Sequence, residues 1–234
     1  MIKVVMFDLD GTLLPMDQDT FVKVYFGGLG KKLEPFGYDA KKVADAVLSG
    51  VIAMTKNDGK DTNEVVFWNK FAELLGEDVR NHNDLFEDYY NNEFQKVREV
   101  CGFSKHAKEV VTLVKEKGLR VVLATSPMFP KIATESRIRW AGLEPEDFEI
   151  YTTYEDYNFA KPSLGYYKDV ISRLGVKPEE CVMVGNDVLE DMISSELGVK
   201  TFLLTDCLIN RKNLDYSKHE QGGFKELIEF IKNL

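Results

Sequence analysis

Cysteine and histidine are scarce, with three of each among 234 residues. Cys101, Cys181 and Cys207 are widely spaced and no CxxC pair occurs, so neither a thiolate zinc site nor a disulfide framework is supported. Unpaired thiols suit a reducing compartment, and a cytoplasmic location is the expectation. Long apolar runs are also missing: none approaches the roughly 18 residues of a membrane-spanning helix. The opening run stops at Phe7, lacks a cleavage site and leads into charge, so it is not expected to act as a signal peptide. Positive charge is in deficit: 30 basic against 39 acidic residues leave a formal net charge of -9. Such a chain does not attract nucleic acid or anionic lipid, and neither is expected as a partner. No feature points to a protein partner. Internal repeats, low-complexity tracts and the G-x-G-x-x-G spacing are all absent. The "GGLG" at 27–30 follows no buried strand and reads as a flexible turn.

Hydrophobic residues make up 44% of the chain, enough for a substantial core. Five short apolar runs, 2–7, 119–124, 149–153, 181–184 and 201–204, read as buried strands. Several lack polar alternation, which suits strands covered on both faces of a parallel sheet. Helical patterns separate them. Residues 105–117 place Ala107, Val110, Val111 and Val114 on one stripe, and Gly118 follows as a stop. Further helices are predicted over 131–141, 166–174, 189–197 and 224–234. The fold class is therefore α/β, with a doubly wound parallel-sheet (Rossmann-like) core. Between the first strand and residue 99 no buried strand is evident, only helical stretches at 40–49, 62–75 and 85–97. A segment this long is not a loop. The division expected is a core of 1–14 and 99–234 with an all-helical domain, 15–98, inserted.

In such sheets ligands bind beyond the carboxyl ends of the strands. The first run ends in Asp8 and Asp10, the second in Thr125 and Ser126, and the fourth in "GNDVLED", which holds Asn186, Asp187, Glu190 and Asp191. Lys161, followed by Pro162, falls in a loop after the third. Crowded carboxylates repel one another, and a divalent cation relieves that repulsion. Oxygen donors without His or Cys point to a hard ion such as Mg²⁺, which commonly holds a phosphate as well.

"DLDGT" at 8–12, the strand-end Thr125, "KP" at 161–162 and "GNDVLED" at 185–191 resemble, in order, the four motifs of the haloacid dehalogenase-like (HAD) hydrolase superfamily. The resemblance spans the whole α/β portion, and the helical insertion resembles a C1-type cap. It implies an Mg²⁺-dependent phosphatase acting on a small phosphorylated metabolite. Asp8 would be the nucleophile that forms an aspartyl-phosphate, and Asp10 the general acid/base. Family dehalogenases typically lack this acid, so Asp10 implies phosphoryl chemistry. Thr12, Thr125, Ser126 and Lys161 would hold the phosphate. The metal would sit among Asp8, Asp10 (by its carbonyl), Asn186, Asp187 and Asp191. Asn186 replaces the usual first aspartate of the last motif, so Asp187 is the preferred ligand and Asn186 the alternate. The same motifs serve phosphomutases acting on sugar phosphates, and a non-catalytic member is a further alternative.

Blander readings stand beside these. Asp-Gly is ordinary turn chemistry, Lys161 could be a surface lysine, and Asp191 could complement a helix dipole. Glu190 reads as a solvated or capping residue, and His82 beside Asp84 as a surface loop. Phe21, Tyr25 and Phe26 read as the insertion's own core, with pocket lining as the alternative.

Overall fold

The computed structural model describes residues 1–234. Six strands form one parallel sheet: β1 (Val4–Phe7), β2 (Arg120–Leu123), β3 (Ile150–Tyr151), β4 (Cys181–Gly185), β5 (Lys200–Leu204) and β6 (Glu220–Gly222), in the order β3-β2-β1-β4-β5-β6. The central strand, β1, pairs with β2 on one side and β4 on the other, with Phe7 opposite both Leu123 and Val184. The strand order therefore reverses at β1, the position where doubly wound sheets bind ligands. The residues just past Phe7, Leu123 and Val184 emerge side by side.

Both sheet faces are buried, which explains the uninterrupted apolar strands. Val5 and Phe7 pack with Ala107, Val110, Val111 and Val114 and with Leu227 and Ile231. Val4 and Met6 point the other way, against Tyr166, Tyr167 and Val170. The covering helices are α5 (Lys105–Glu116), α6 (Lys131–Trp140), α7 (Leu164–Leu174) and α8 (Phe224–Lys232). The start of α5 is fixed by Ser104, which accepts from the His106 N–H, and its exit passes through Gly118 at φ 71°.

The first strand is followed by helices only: α1 (Gln18–Leu33), α2 (Ala40–Thr55), α3 (Asn63–Leu75) and α4 (Asn83–Asn91), then a 3-10 stretch, Glu93–Val100. The chain leaves and rejoins the sheet at adjacent points. Met16 bridges Cys101, and the Gly102 N–H donates to the Pro15 carbonyl at 2.6 Å.

Three expectations are corrected. The "GGLG" is no turn: α1 runs through it, capped by Asp17. Its glycines allow close packing, because a Cβ on Gly28 would press on the Tyr89 hydroxyl and one on Gly30 on Ala40. The helix expected over 189–197 is reduced to a 3-10 turn, Met192–Leu197, because Asp187 and Asp191 spend their carboxylates on the backbone ahead of it. Finally, β6 was not foreseen. An edge strand of Glu, Gln and Gly carries no apolar pattern to read.

Candidate active site

At the end of β1 the Asp8 N–H still donates to the Val184 carbonyl, at 2.9 Å, so its position is set by the sheet. Asp8 Oδ1 accepts from Lys161 Nζ at 2.8 Å, and Oδ2 from Thr12 Oγ1 at 3.3 Å. The same ammonium donates to Asp191 Oδ1 at 2.6 Å. Lys161, 1% exposed, thus bridges two buried carboxylates brought from strand ends far apart in sequence. Burial opposes its charge, but Asp191 and Asp8 outweigh burial and hold its pKa well above the ordinary value. Burial and repulsion from Asp8 raise Asp191 despite the lysine. One cation facing two carboxylates leaves the cluster short of positive charge.

Glycines make room for this cluster. A Cβ on Gly185 would collide with the Asp191 carboxylate. Gly11, at φ 87°, carries a conformation that side chains resist, and its Cβ would strike the Asn186 carboxamide. Asn186 consequently lies against the first motif: its Oδ1 accepts from Thr12 Oγ1 at 2.9 Å, and its Nδ2 donates to the Cys207 carbonyl at 2.7 Å. Asp187 behaves differently. Its Oδ1 accepts from the N–H groups of Leu189 (2.7 Å) and Glu190 (2.9 Å), which ties it to its own turn. Asn186, rather than Asp187, therefore faces the first motif.

Asp10 is enclosed by protein while its side chain keeps 18% exposure. Burial raises its pKa, Arg137 opposes that, and repulsion from Asp8 adds to it. Asp10 Oδ2 accepts from Arg137 Nη1, whereas its Oδ1 has no partner. Arg137 is fully buried on α6. Its guanidinium stacks 4.0 Å from the Phe129 ring centroid and donates to the Ala133 carbonyl and Thr134 Oγ1. Thr125 is buried, with its carbonyl taking the hydroxyls of Thr152 and Tyr166. Ser126 Oγ is buried without a partner.

Sequence reading missed two charged residues here. Arg137 looked like any polar position on a helix. Glu190 reads in the sequence as a solvated or capping residue of a helix from 189. In the tight turn that replaces that helix, burial raises its pKa to about 8, against the pull of Lys161 and reinforced by Asp187, Asp191 and Asp8.

Glu190, Asp10 and Ser126 line one cavity of about 260 Å³ between the sheet rim and the helices. A larger open cleft of about 770 Å³, beside Glu64, Asn83 and Glu135, touches none of these three. The expected loop at 82–84 belongs to a 3-10 turn and the start of α4, where His82 packs on Phe36 and Tyr38.

The chain is 28% identical to a glyceraldehyde 3-phosphate phosphatase of Methanocaldococcus jannaschii, over 100% of this chain and 99% of that one. It is 24% identical to the pyrophosphatase PpaX of Halalkalibacterium halodurans, over 86% and 82%. Among solved structures, a HAD phosphatase from Thermococcus onnurineus superposes with a TM-score of 0.61 at 21% identity, covering 98% of each chain. The family model for haloacid dehalogenase-like hydrolases matches residues 2–195, a span that carries Asp8, Lys161 and Asp191. The chain belongs to the haloacid dehalogenase-like hydrolases and is an enzyme of that family.

Proposed function

We propose that the protein is an Mg²⁺-dependent phosphatase that hydrolyses a small phosphate monoester through an aspartyl-phosphate on Asp8. The observation that carries this reading is the Asp8–Lys161–Asp191 bridge at the sheet's switch point, with Asp10 two residues on and facing a cavity. A carboxylate oxygen of Asp8 attacks phosphorus. The bond to the ester oxygen breaks, and Asp10 gives its proton to the departing alkoxide. Water then attacks the acyl phosphate and passes a proton to Asp10. The bond to Asp8 breaks and inorganic phosphate leaves. Lys161 and Thr12 hold Asp8 in place, and Arg137 holds Asp10. Thr125 and Ser126 stand at the next strand end as phosphate donors; the orphaned Ser126 Oγ fits that role.

The cluster suits a hard cation: its donors are oxygens, and its carboxylates outnumber its ammonium. Mg²⁺ takes one or two carboxylates and fills its shell with water and phosphate oxygens, and the carboxylates of Asp8 and Asp191 meet that need. Asp8, the Asp10 carbonyl, Asn186 and Asp191 would hold it, with Asp187 outside them; bound, it would neutralise charge on the phosphoryl group. We assign the cap to residues 15–98, a lid that excludes bulk water. The two relatives, a glyceraldehyde 3-phosphate phosphatase and a pyrophosphatase, both release phosphate, which supports phosphoryl chemistry, and they differ in substrate.

The test is phosphate release from an aryl phosphate. We expect turnover with Mg²⁺, none with chelator, and a loss of at least about a thousandfold in Asp8→Asn. Full activity of Asp8→Asn would remove the nucleophile assignment. Asn186→Ala should raise the Mg²⁺ concentration needed for half-activity more than Asp187→Ala does; the opposite order would restore Asp187 as ligand.

A further inference from the structure

The cavity that Asp10 and Ser126 enter says what the ester group must look like. Of its 21 lining residues, 16 are hydrophobic, contributed by α1 to α4 and the segment 126–130 together with Met16 and Tyr154. No lysine, arginine or histidine lines it, and its only carboxyl groups are those of Asp10 and Glu190. Its most enclosed hydroxyls are already engaged: Tyr25 Oη and Tyr90 Oη bond each other at 2.7 Å. Two fully buried polar atoms without partners, Asp10 Oδ1 and Ser126 Oγ, belong to residues at the sheet end, where the phosphoryl group would lie.

From this we infer that the substrate is the monophosphate ester of an uncharged, largely apolar alcohol, aryl or branched alkyl. The inference rests on the phosphatase reading above. A second phosphate or a carboxylate on the ester group would give up its hydration and find no basic side chain among the lining residues to pair with. A polyhydroxylated group would exchange hydrogen bonds to water for aromatic and aliphatic walls that return few. An apolar group instead gains by leaving water. Size narrows the choice. A cavity of roughly 150 Å³ admits a benzene ring, so about 260 Å³ takes one ring with a short substituent, or an alkyl group of equal bulk. Phe21 and Tyr25 accordingly serve as both core and pocket wall.

Steady-state kinetics on two matched pairs test this. Phenyl phosphate and 4-carboxyphenyl phosphate share a phenolic leaving group and differ in charge. 3-Methylbutyl phosphate and glycerol 3-phosphate share an alkyl leaving group and differ in polarity. We expect kcat/KM to favour the apolar, neutral member of each pair by at least about tenfold. Val51, on α2, lines the cavity. Val51→Gln should shrink the second preference severalfold while Val51→Leu keeps it. Equal or inverted preference in either pair overturns the inference. Acetyl phosphate separates the two levels: its turnover alongside an inverted preference refutes the apolar substrate class and leaves the phosphatase reading standing. Turnover of none of the five compounds refutes both.

Discussion

Arg137 and Asp10 form the least conventional pair in the site. A guanidinium with no exposure is tolerable only if its charge is met, and here Asp10, a backbone carbonyl, a threonine hydroxyl and an aromatic face meet it. Removing one partner of a buried pair leaves an uncompensated charge, so Arg137→Met should cost about 3–5 kcal/mol of folding stability. Arg137→Lys should recover little, because an ammonium cannot fork or stack in the same way. Urea titration of the three proteins checks both statements; an unchanged midpoint in Arg137→Met would mean that the Arg137–Asp10 pair adds nothing to the stability of the fold. Gly11→Ala should be as damaging as any substitution at a charged residue, since it both strains a backbone at φ 87° and displaces Asn186. Asp8 was legible in the sequence because a buried apolar run ends at it, and Lys161 and Asp191 because the motifs that hold them follow it in a recognisable order. Arg137 and Glu190 were not, because the first lies on a helix of weak polarity contrast and the second depended on a helix that the Asp187 turn prevents.

At the scale of elements, α5 is fastened to the loop before β3 by Lys108 and Lys115, which both donate to Asp147 at 2.7 Å. Burial alone would raise the Asp147 pKa, but the two lysines and the Glu144 N–H bring it down to about 2 from the ordinary 3.8. A carboxyl lowered on folding stabilises the fold above its ordinary pKa and loses that contribution as pH falls from 3.8 toward about 2. Discounting for the exposed lysines, the contribution at neutral pH is about 1–2 kcal/mol. Asp147→Asn should therefore be less stable than the parent at neutral pH, and the gap should close in acid; melting temperatures across that range check it, and a gap that is independent of pH would contradict it. Periodicity and capping residues were enough to find α5, α6 and α7 in the sequence. They failed at α1, where close helix packing overrode the ordinary meaning of paired glycines, and at β6, where pairing at a sheet edge requires no hydrophobic pattern.

Across the whole molecule, a parallel sheet sets the positions of the acids and a helical layer closes over them. The two are joined near Pro15 and Cys101 and again at Asn63, a fully buried side chain whose Nδ2 donates to the carbonyls of Pro127 and Phe159. Loss of that second link leaves two carbonyls unpaired, so Asn63→Ala should loosen closure and raise KM severalfold while lowering kcat less. A change confined to kcat would place Asn63 in the chemical step instead. The central claim, that Asp8 takes the phosphoryl group, is tested most directly by quenching the enzyme in acid during turnover of phenyl phosphate with Mg²⁺ and mapping its peptides by mass. The account predicts a phosphoryl adduct on the peptide containing Asp8 and none in Asp8→Asn. Rapid turnover with no adduct on that peptide, or an adduct at another residue, would contradict it.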